Sequence, residues 1–375
     1  MSGTQEKIRV LHVLGSLGIG GCERLCLDIL RFHDRSKFVP QLAVFASPNG
    51  GLAPEFQSVP GLQIHKCLYL PPQRASFIVR FIRLCRTLRP DVVFCYAFGM
   101  HTLIGVSARM AGVKRAMVTV HNPSPQEGRI RRKTTWLAQL ARPFFDSEVA
   151  VSQYVANDIQ QAYRLPMKRV RVIHNGCDVE SLHRRAERAR QVRVPGDGLV
   201  IGMVGRLDTI KDQPTLIHAA AILRQTCPAL QLKLIGDGPK RGELEQLVSE
   251  LDLKEHVEFL GSRLDIPEQL GTFDVFAFAT TSSEGFGIAL IEALAAGVPV
   301  VATDVGPCRE ILESGKIGLL VPPSDAKALA GGIAQLLGDP VLSARLSRDG
   351  LRHARAHYDI RQTTRAYEAL FTASE

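Results

Sequence analysis

The sequence predicts an α/β protein made of two doubly wound, Rossmann-like domains in series. Short apolar or β-branched runs alternate with segments of helical period along nearly the whole chain, which is the pattern of parallel strands joined by crossover helices. The 375 residues, 45% hydrophobic and 22% charged, are enough for two cores of ordinary size. The alternation is interrupted once, near residues 181–198. We therefore expect one sheet on each side, with the two domains facing each other across a cleft at the carboxyl ends of their strands.

The predicted strands are short apolar runs bounded by turn residues. In the first half they are Ile8–Leu14, Gln41–Phe45, Asp91–Tyr96, Ala116–His121, Glu148–Ser152 and Val170–His174. In the second half they are Leu199–Gly205, Leu230–Ile235, Val257–Leu260, Asp274–Ala279, Pro299–Ala302 and Gly318–Val321. Helices are expected between them, for example over Phe77–Leu88 and Thr134–Phe145.

The interruption defines the domains. Residues 181–198 are rich in arginine, lack a strand period and end in a Pro-Gly-Asp-Gly turn. We therefore expect a first domain over residues 1–180, a linker over 181–198 and a second domain over 199–355. Residues 356–375 form a helix-like C-terminal segment.

Composition excludes several classes of protein. The eight cysteines form no C-x-x-C pair, which argues against a zinc site or a disulfide framework. No apolar run approaches the ~20 residues of a membrane helix, and the first run lacks a signal-peptide cleavage site. We expect a cytoplasmic protein, with peripheral attachment to the inner face of a membrane as an alternative.

The charge is divided unevenly between the halves. Residues 1–180 carry 24 Lys and Arg against 12 Asp and Glu, a net charge of +12, whereas residues 181–375 carry 22 against 25, a net charge of −3. A basic half attracts nucleic acid, an anionic bilayer or a phosphorylated small molecule. We do not expect nucleic acid, because no recognition motif for it is present.

A glycine-rich turn follows the first strand. The run from Gly15 to Gly21 leads directly into a predicted helix, so backbone N–H groups and a helix N-terminus form an anion-binding turn. A dinucleotide site is the obvious rival, but the spacing is not G-x-G-x-x-G and no acidic residue ends the second strand. A purely structural turn is the other alternative.

Two cations follow the first strand of the second domain. Arg206 lies at its carboxyl end, after Gly205, and Lys211 comes five residues later, just before a helix. A strand-end arginine is often only a surface ion pair. Together the two form a candidate clamp for a diphosphate, since arginine offers a planar fork and lysine a point charge.

Two glutamates flank the start of a later helix. Glu284 lies in the loop after the strand Asp274–Ala279, the helix begins near Gly287, and Glu292 lies one to two turns inside it. Carboxylates in these positions could hold hydroxyl groups on either side of a phosphate bound at the helix N-terminus. The alternative makes Glu284 a partner of the helix dipole and Glu292 a solvated surface residue.

These segments, in this order, resemble family 4 of the retaining GT-B glycosyltransferases. The resemblance rests on motifs spread along the chain: Gly20, Gly21 and Glu23; Thr119–His121; Val172–Asp178; Val204–Leu207 with Lys211; Leu234–Pro239; Glu284 to Glu292; and Pro299–Thr303. The match covers nearly the whole chain and is stronger in the second half.

The resemblance implies a nucleotide-diphosphate sugar held mainly by the second domain. Arg206 and Lys211 would bind the diphosphate, and Glu292 the ribose hydroxyls. Glu284 and the backbone of Phe286, Gly287 and Ile288 would hold the donor sugar. Gly205 belongs to the same donor site, and base contacts are expected around residues 261–264, including Arg263.

The resemblance assigns fewer residues of the first domain. Gly20 and Gly21 would approach the diphosphate and sugar, and His121 would lie near the anomeric carbon. The C-terminal segment would cross back onto the first domain. By this resemblance, the residues expected to take part in catalysis are His121, Arg206, Lys211 and Glu284.

The expected reaction needs no metal or other cofactor. The sequence has no D-x-D element that would hold a divalent cation against a diphosphate, so protein cations must stabilise the leaving group. In a front-face transfer with retention, the departing phosphate oxygen takes the acceptor proton. No dedicated protein base is then required.

The donor and acceptor remain open at this stage. We favour a UDP-sugar as the donor, with GDP-mannose as the alternative.

A basic segment precedes the only tryptophan, Trp136. It contains Arg129, Arg131, Arg132 and Lys133. This segment suits a lid, a solvated basic face or a contact with an anionic membrane. The acceptor would be lipid-linked or phosphorylated, in envelope polysaccharide or glycolipid synthesis. The alternatives are a soluble small-molecule acceptor, a nucleotide-sugar epimerase and a degenerate binding subunit.

Overall fold

The computed structural model describes residues 6–46, 48–69, 74–96, 100–124, 128–193 and 198–373. The strands in these ranges are β1 (Ile8–Leu14), β2 (Phe38–Val44), β3 (Gln63–Lys66), β4 (Val92–Cys95), β5 (Arg115–Val120), β6 (Ser147–Ala150), β7 (Val170–Val172), β8 (Val200–Val204), β9 (Gln231–Ile235), β10 (Val257–Gly261), β11 (Val275–Phe278), β12 (Val300–Thr303) and β13 (Leu319–Val321).

The α-helices between them are α1 (Gly21–Phe32), α2 (Ala53–Gln57), α3 (Arg74–Leu88), α4 (His101–Met110), α5 (Gly128–Ala141), α6 (Gln153–Tyr163), α7 (Val179–Gln191), α8 (Gln213–Arg224), α9 (Arg241–Glu250), α10 (Ile266–Gly271), α11 (Ile288–Ala295), α12 (Gly306–Ile311), α13 (Ala326–Gly338), α14 (Pro340–His357) and α15 (Ile360–Thr372). In the part of the chain described here, no helix is both long and apolar enough to span a bilayer.

The strands form two parallel sheets, which confirms the predicted α/β class. The first has the order β3-β2-β1-β4-β5-β6-β7 and the second the order β10-β9-β8-β11-β12-β13. Both are doubly wound, because the chain starts near the middle of the sheet, runs to one edge and returns to fill the other side. The direction reverses between β1 and β4 in one sheet and between β8 and β11 in the other.

The chain divides into two compact units. One contains residues 1–175 and 360–375, and the other residues 176–359. The prediction of a linker over residues 181–198 is wrong for residues 181–191, because they lie in helix α7 of the second unit. Asp178 caps this helix by accepting a hydrogen bond from the Ser181 amide. The turn at residues 194–197 lies outside the described part.

Helix α15 belongs to the first unit although it follows the second in sequence. Its Tyr367 and Phe371, one turn apart, are completely buried in the core beneath β1, β2 and β4. The Glu368 carboxylate accepts a hydrogen bond from the amide of Asp34 and contacts Nδ1 of His33. These contacts fix the C-terminal helix on the first sheet.

All twelve predicted strands are present, and the described residues hold one further strand that the sequence did not predict. Strand β3, over Gln63–Lys66, lies at the edge of the first sheet and buries none of its residues fully. An edge strand with little buried surface has no apolar run to reveal it. Only its pairing with β2 identifies it.

Candidate active site

The candidate donor site lies at the carboxyl ends of β8 and β11. These strands are neighbours in the second sheet although two strands separate them in sequence. This reversal point is where doubly wound sheets open a crevice for ligands. The loop after β8 carries Arg206 and Lys211, and the loop after β11 carries Glu284.

A largely buried ion pair joins the two loops. The Lys211 ammonium contacts the Glu284 carboxylate, and it lies 4.5 Å from the centroid of the Phe278 ring. The side chains are 15% and 9% exposed. Buried charges of this kind are stable only when paired and hydrogen-bonded. The pair therefore fixes a cation and an anion side by side at the sheet edge.

Hydrogen bonds complete the environment of the Glu284 carboxylate. Oε1 accepts from the amides of Gly285 and Phe286, at 3.1 and 3.4 Å. Oε2 accepts from the Thr280 hydroxyl at 3.2 Å. Burial raises the pKa of Glu284, but the Lys211 ammonium and these hydrogen bonds lower it by more, so the pKa lies below its ordinary value. Glu284 is therefore a hydrogen-bond acceptor at neutral pH and a poor general acid.

Arg206 is oriented differently from Lys211. Its side chain is 72% exposed, and its Nε lies 3.7 Å from the Asp208 carboxylate. Asp208 also accepts a hydrogen bond from the amide of Ile210 at 2.9 Å, which shapes the loop that leads to Lys211. The guanidinium is thus accessible to a ligand at the rim, while the ammonium is held inside.

The second sheet packs closely around Gly205. The adjacent Gly236 has φ +135°, and a Cβ there would lie 2.0 Å from the carbonyl oxygen of Gly205. Any other residue at position 236 would push the β8 loop outward. The close approach therefore holds the backbone before Arg206 in place.

Helix α11 begins beside the ion pair. Its N-cap, Gly287, has φ +92°, and a Cβ there would lie 3.0 Å from the Phe278 ring. Among the described residues no side chain caps the helix, and its first turn contains no acidic residue. Its N-terminal amides and dipole thus remain available for an anion. Ile288 is the first helical residue, and the half-buried Glu292 lies one turn further.

Arg263 does not join this group. It lies after β10, and β9 separates that strand from β8. Its guanidinium forms two hydrogen bonds to Asp265, at 2.6 and 2.7 Å, and this contact lowers the pKa of the Asp265 carboxyl. A base contact by the Arg263 side chain would have to compete with Asp265, whereas the backbone of the segment has no such constraint.

The first unit brings its own predicted residues together. Gly20 is the N-cap of α1 and Gly21 its first residue. His121 follows β5, and its Nε2 lies 3.5 Å from Sγ of Cys22 in the same helix turn and also contacts the Thr119 hydroxyl. Burial lowers the pKa of His121 to about 4, so the imidazole is neutral at pH 7.

The glycine turn carries an acidic group that the anion-binding interpretation did not consider. A Cβ at Gly20 would lie 2.4 Å from a carboxylate oxygen of Glu23. Glu23 also accepts a hydrogen bond from Ser16 at 3.4 Å. The helix N-terminus is therefore partly neutralised by its own side chain. This favours a hydroxyl-rich group over a free phosphate at the turn.

A separate groove of about 840 Å³ in the second unit is not part of this site. It is lined by Val200 and Gln231 at the amino ends of β8 and β9, and by Lys233, Glu258 and Arg185. Ligand sites of doubly wound sheets lie at the opposite, carboxyl ends of the strands. The candidate site is therefore the region around Lys211 and Glu284.

Comparison with known proteins agrees with the geometry. A family model described as Glycosyltransferase Family 4 matches residues 19–181, and one described as Glycosyl transferases group 1 matches residues 184–353. A GDP-mannose-dependent alpha-(1-6)-phosphatidylinositol monomannoside mannosyltransferase of Mycolicibacterium smegmatis is 30% identical over 264 residues, 67% of this chain and 68% of the relative. The chain belongs to glycosyltransferase family 4.

Other relatives of this glycosyltransferase match over most of its length. The N-acetylgalactosamine-N,N'-diacetylbacillosaminyl-diphospho-undecaprenol 4-alpha-N-acetylgalactosaminyltransferase of Campylobacter jejuni is 28% identical over 91% of this chain and 93% of the relative. The crystal structure of Anabaena HepE in complex with UDP-glucose superposes with a TM-score of 0.84, at 24% identity, over 98% of this chain and 100% of that one. The fold is therefore GT-B, as the sequence predicted.

Sequence reasoning missed the residues that support the ion pair. Four residues support the loops that carry Lys211 and Glu284. Three of them contact a loop residue directly, and the fourth holds the amide of Thr280; they are Thr280, Asp208, Phe278 and Thr303. Threonines at strand ends are common, and nothing in their spacing marks them as part of a site. Only their position at the carboxyl ends of neighbouring strands could have suggested a role.

Proposed function

We propose that this enzyme transfers a hexosyl group from a nucleotide-diphosphate sugar to an acceptor hydroxyl with retention of anomeric configuration. The observation that carries the proposal is the Lys211 and Glu284 pair, buried beside an uncapped helix N-terminus with Arg206 at the rim. The pair places a cation for a phosphate next to an acceptor for sugar hydroxyls. Glu292, further along α11, is the proposed ligand of the ribose.

The proposed chemistry breaks the bond between the anomeric carbon and the phosphate oxygen. Negative charge develops on the diphosphate, and positive character develops on the sugar ring. Lys211, Arg206 and the α11 dipole stabilise the leaving group, because preorganised charges cost no reorganisation during the reaction. The acceptor oxygen bonds to the anomeric carbon on the same face. Its proton passes to the departing phosphate oxygen, so no side chain of the site need act as the base.

The decisive experiment is a thermal-shift screen of nucleotide sugars followed by product analysis. A ligand at 100 times its dissociation constant should add about 2.7 kcal/mol to the free energy of unfolding. We expect a UDP-sugar to give the largest shift and the product, by proton NMR, to keep the α configuration of the donor. An inverted product would contradict the retaining mechanism, and no shift with any nucleotide sugar would contradict the proposed activity.

The choice of donor and acceptor rests on relatives and on charge. One relative is named for GDP-mannose, whereas the structural neighbour was crystallised with UDP-glucose, so both donors belong in the screen. The Campylobacter and Mycolicibacterium relatives are named for acceptors on diphospho-undecaprenol and phosphatidylinositol. We propose a lipid-linked or phosphorylated acceptor, which suits a first half of net charge +12.

Donor cleavage should persist in excess EDTA. Lys211 and Arg206 supply positive charge where other glycosyltransferases use a divalent cation, and the sequence has no D-x-D element. Hydrolysis or transfer of the donor would be followed by release of nucleoside diphosphate, with and without 10-fold excess chelator. Activity that disappears in EDTA and returns with Mg²⁺ or Mn²⁺ would show that the cations of the protein are insufficient.

Helix α5 is the proposed contact with the acceptor membrane. Trp136 and Leu140, four residues apart on one face, are 61% and 46% exposed. Arg132 and Lys133, one turn before Trp136, are exposed as well. The Arg129 side chain lies outside the described part. Cations in the first turns of a helix oppose its dipole, so their presence here favours a role in binding over one in folding.

We expect the protein to cosediment with anionic liposomes at low salt and not with zwitterionic ones. Replacing Arg129, Arg131, Arg132 and Lys133 together by glutamine should weaken this binding by about 1 kcal/mol per cation near the surface. Trp136→Ala should weaken binding to anionic liposomes by a factor that does not depend on salt, since insertion is not screened. Equal binding to both liposomes, or to neither, would leave α5 as a solvated face and favour an acceptor in solution.

A further inference from the structure

We propose that Thr280 is a positioning residue that holds the Glu284 carboxylate in register with Lys211 and the donor sugar. The inference rests on the proposed function and adds to it a residue that acts through Glu284. Thr280 lies two residues after the end of β11 and is completely buried.

The Thr280 hydroxyl joins the two loops of the site. It lies 3.2 Å from Oε2 of Glu284 and 3.0 Å from the carbonyl oxygen of Ile210, so it can donate to either. Ile210 precedes Lys211 in the chain. The hydroxyl therefore lies between the two loops and donates its one proton either to the carboxylate on the β11 loop or to the backbone that precedes its cation.

The backbone of Thr280 is fixed from both sides. Its amide donates to the Thr303 hydroxyl at 3.1 Å, and that hydroxyl lies 2.9 Å from the Thr280 carbonyl oxygen. A single antiparallel bridge pairs Thr280 with Lys211. Because β12 and the β8 loop both anchor this residue, its hydroxyl has a defined direction.

The geometry predicts a loss of orientation when the hydroxyl is removed. Without the hydroxyl, Oε1 of Glu284 keeps its two amide donors. Oε2 keeps only the contact with the Lys211 ammonium, so the carboxylate is free to move with that side chain. A contact to the reacting sugar that strengthens in the transition state would then weaken. The affinity for the free nucleoside diphosphate would change little, because that ligand lacks the transferred hexose.

The test compares Thr280→Val, Thr280→Ser and a control, Thr272→Val, in the full chain. Thr272 donates its hydroxyl to the carbonyl of Gln269 at 2.7 Å, after α10 and away from the ion pair. We expect Thr280→Val to lower kcat roughly 10- to 100-fold, the range for a hydrogen bond to a charged group. The affinity for UDP should stay within about twofold. Thr280→Ser and Thr272→Val should stay near the wild type.

A pH profile distinguishes positioning from simple packing. Removing a donor to the carboxylate disfavours its charged form, so the pKa of Glu284 rises in Thr280→Val. The acid limb of the kcat/KM profile, which reports the free enzyme, should move to higher pH in Thr280→Val and not in Thr280→Ser. A packing defect alone would lower kcat/KM without moving that limb.

Several outcomes would overturn the proposal. Folded Thr280→Val with wild-type kcat and an unchanged acid limb would do so, and so would an equal loss in Thr280→Ser. If Thr280→Val does not fold, Thr280→Ala takes its place against the same serine variant. If the wild type turns over none of the nucleotide sugars, the proposed function fails. Thr280 is then judged by urea unfolding, where the loss of stability on acidification below about pH 4.3 should be smaller, and should end at higher pH, in the valine variant only.

Discussion

Lys211→Ala should lower both kcat/KM and stability. Its ammonium is the proposed charge on the leaving diphosphate, and removing such a group costs roughly 10²–10³ in rate. The same change leaves the buried Glu284 carboxylate without its cation. Breaking a buried pair in this way destabilises a protein by about 3–5 kcal/mol. Steady-state kinetics and urea unfolding at pH 7 measure the two effects.

Arg206→Ala is the matched control for Lys211→Ala. Its guanidinium has the same proposed role, but its side chain is 72% exposed and its carboxylate neighbour is 3.7 Å away. An exposed pair contributes at most about 1 kcal/mol. Arg206→Ala should therefore lower kcat/KM by a similar factor with nearly wild-type stability. The double variant Lys211→Met/Glu284→Gln should regain stability without activity, and a Lys211→Ala protein of normal stability would contradict the buried pair.

Glu284→Gln should lower kcat and leave the affinity for free nucleoside diphosphate undiminished. The carboxylate is proposed to hold the reacting sugar, and its removal costs roughly 10² in kcat. The same change removes the negative charge that pairs with Lys211. The Lys211 ammonium is then available to interact with the bound diphosphate. Glu292→Gln is the control, because a ribose contact is made alike in ground and transition states. That variant should bind free UDP more weakly, and calorimetry showing the reverse pattern would exchange the two roles.

The stability of the wild type should depend on the ionisation of Glu284. Its pKa in the folded state lies below the ordinary value, so the unfolded chain binds the proton first as the pH falls. The stabilisation is fully present above the unfolded pKa of about 4.3 and is lost as the pH falls through the folded pKa. The gap in unfolding free energy between the wild type and Glu284→Gln should therefore be constant from pH 6 to 8 and narrow below about pH 4.3. A gap that is the same at pH 3.5 would contradict an ionised, paired carboxylate.

Local patterns were sufficient for most of the fold. Apolar runs of strand length identify all strands but β3, since a buried parallel strand is apolar on both faces. β3 has no such run, because an edge position leaves its side chains in solvent. The predicted domain boundary at residue 181 differs from the observed one at residue 176 for a related reason. Arginine-rich α7 lacks strand period and resembles a linker, but it packs on α10 and α11 of the second unit.

The sequence by itself determined the fold class, the family and the candidate residues Arg206, Lys211, Glu284 and Glu292. These depend on periodicity and on motifs of a few residues, which are local properties of the chain. Only the tertiary structure decided that Lys211 and Glu284, 73 residues apart, form a buried pair, that Arg206 stays exposed and that Thr280 connects the loops. Those facts depend on β8 and β11 becoming neighbours. The free energy that selects this pairing comes from burying both faces of the whole sheet, which no local pattern encodes.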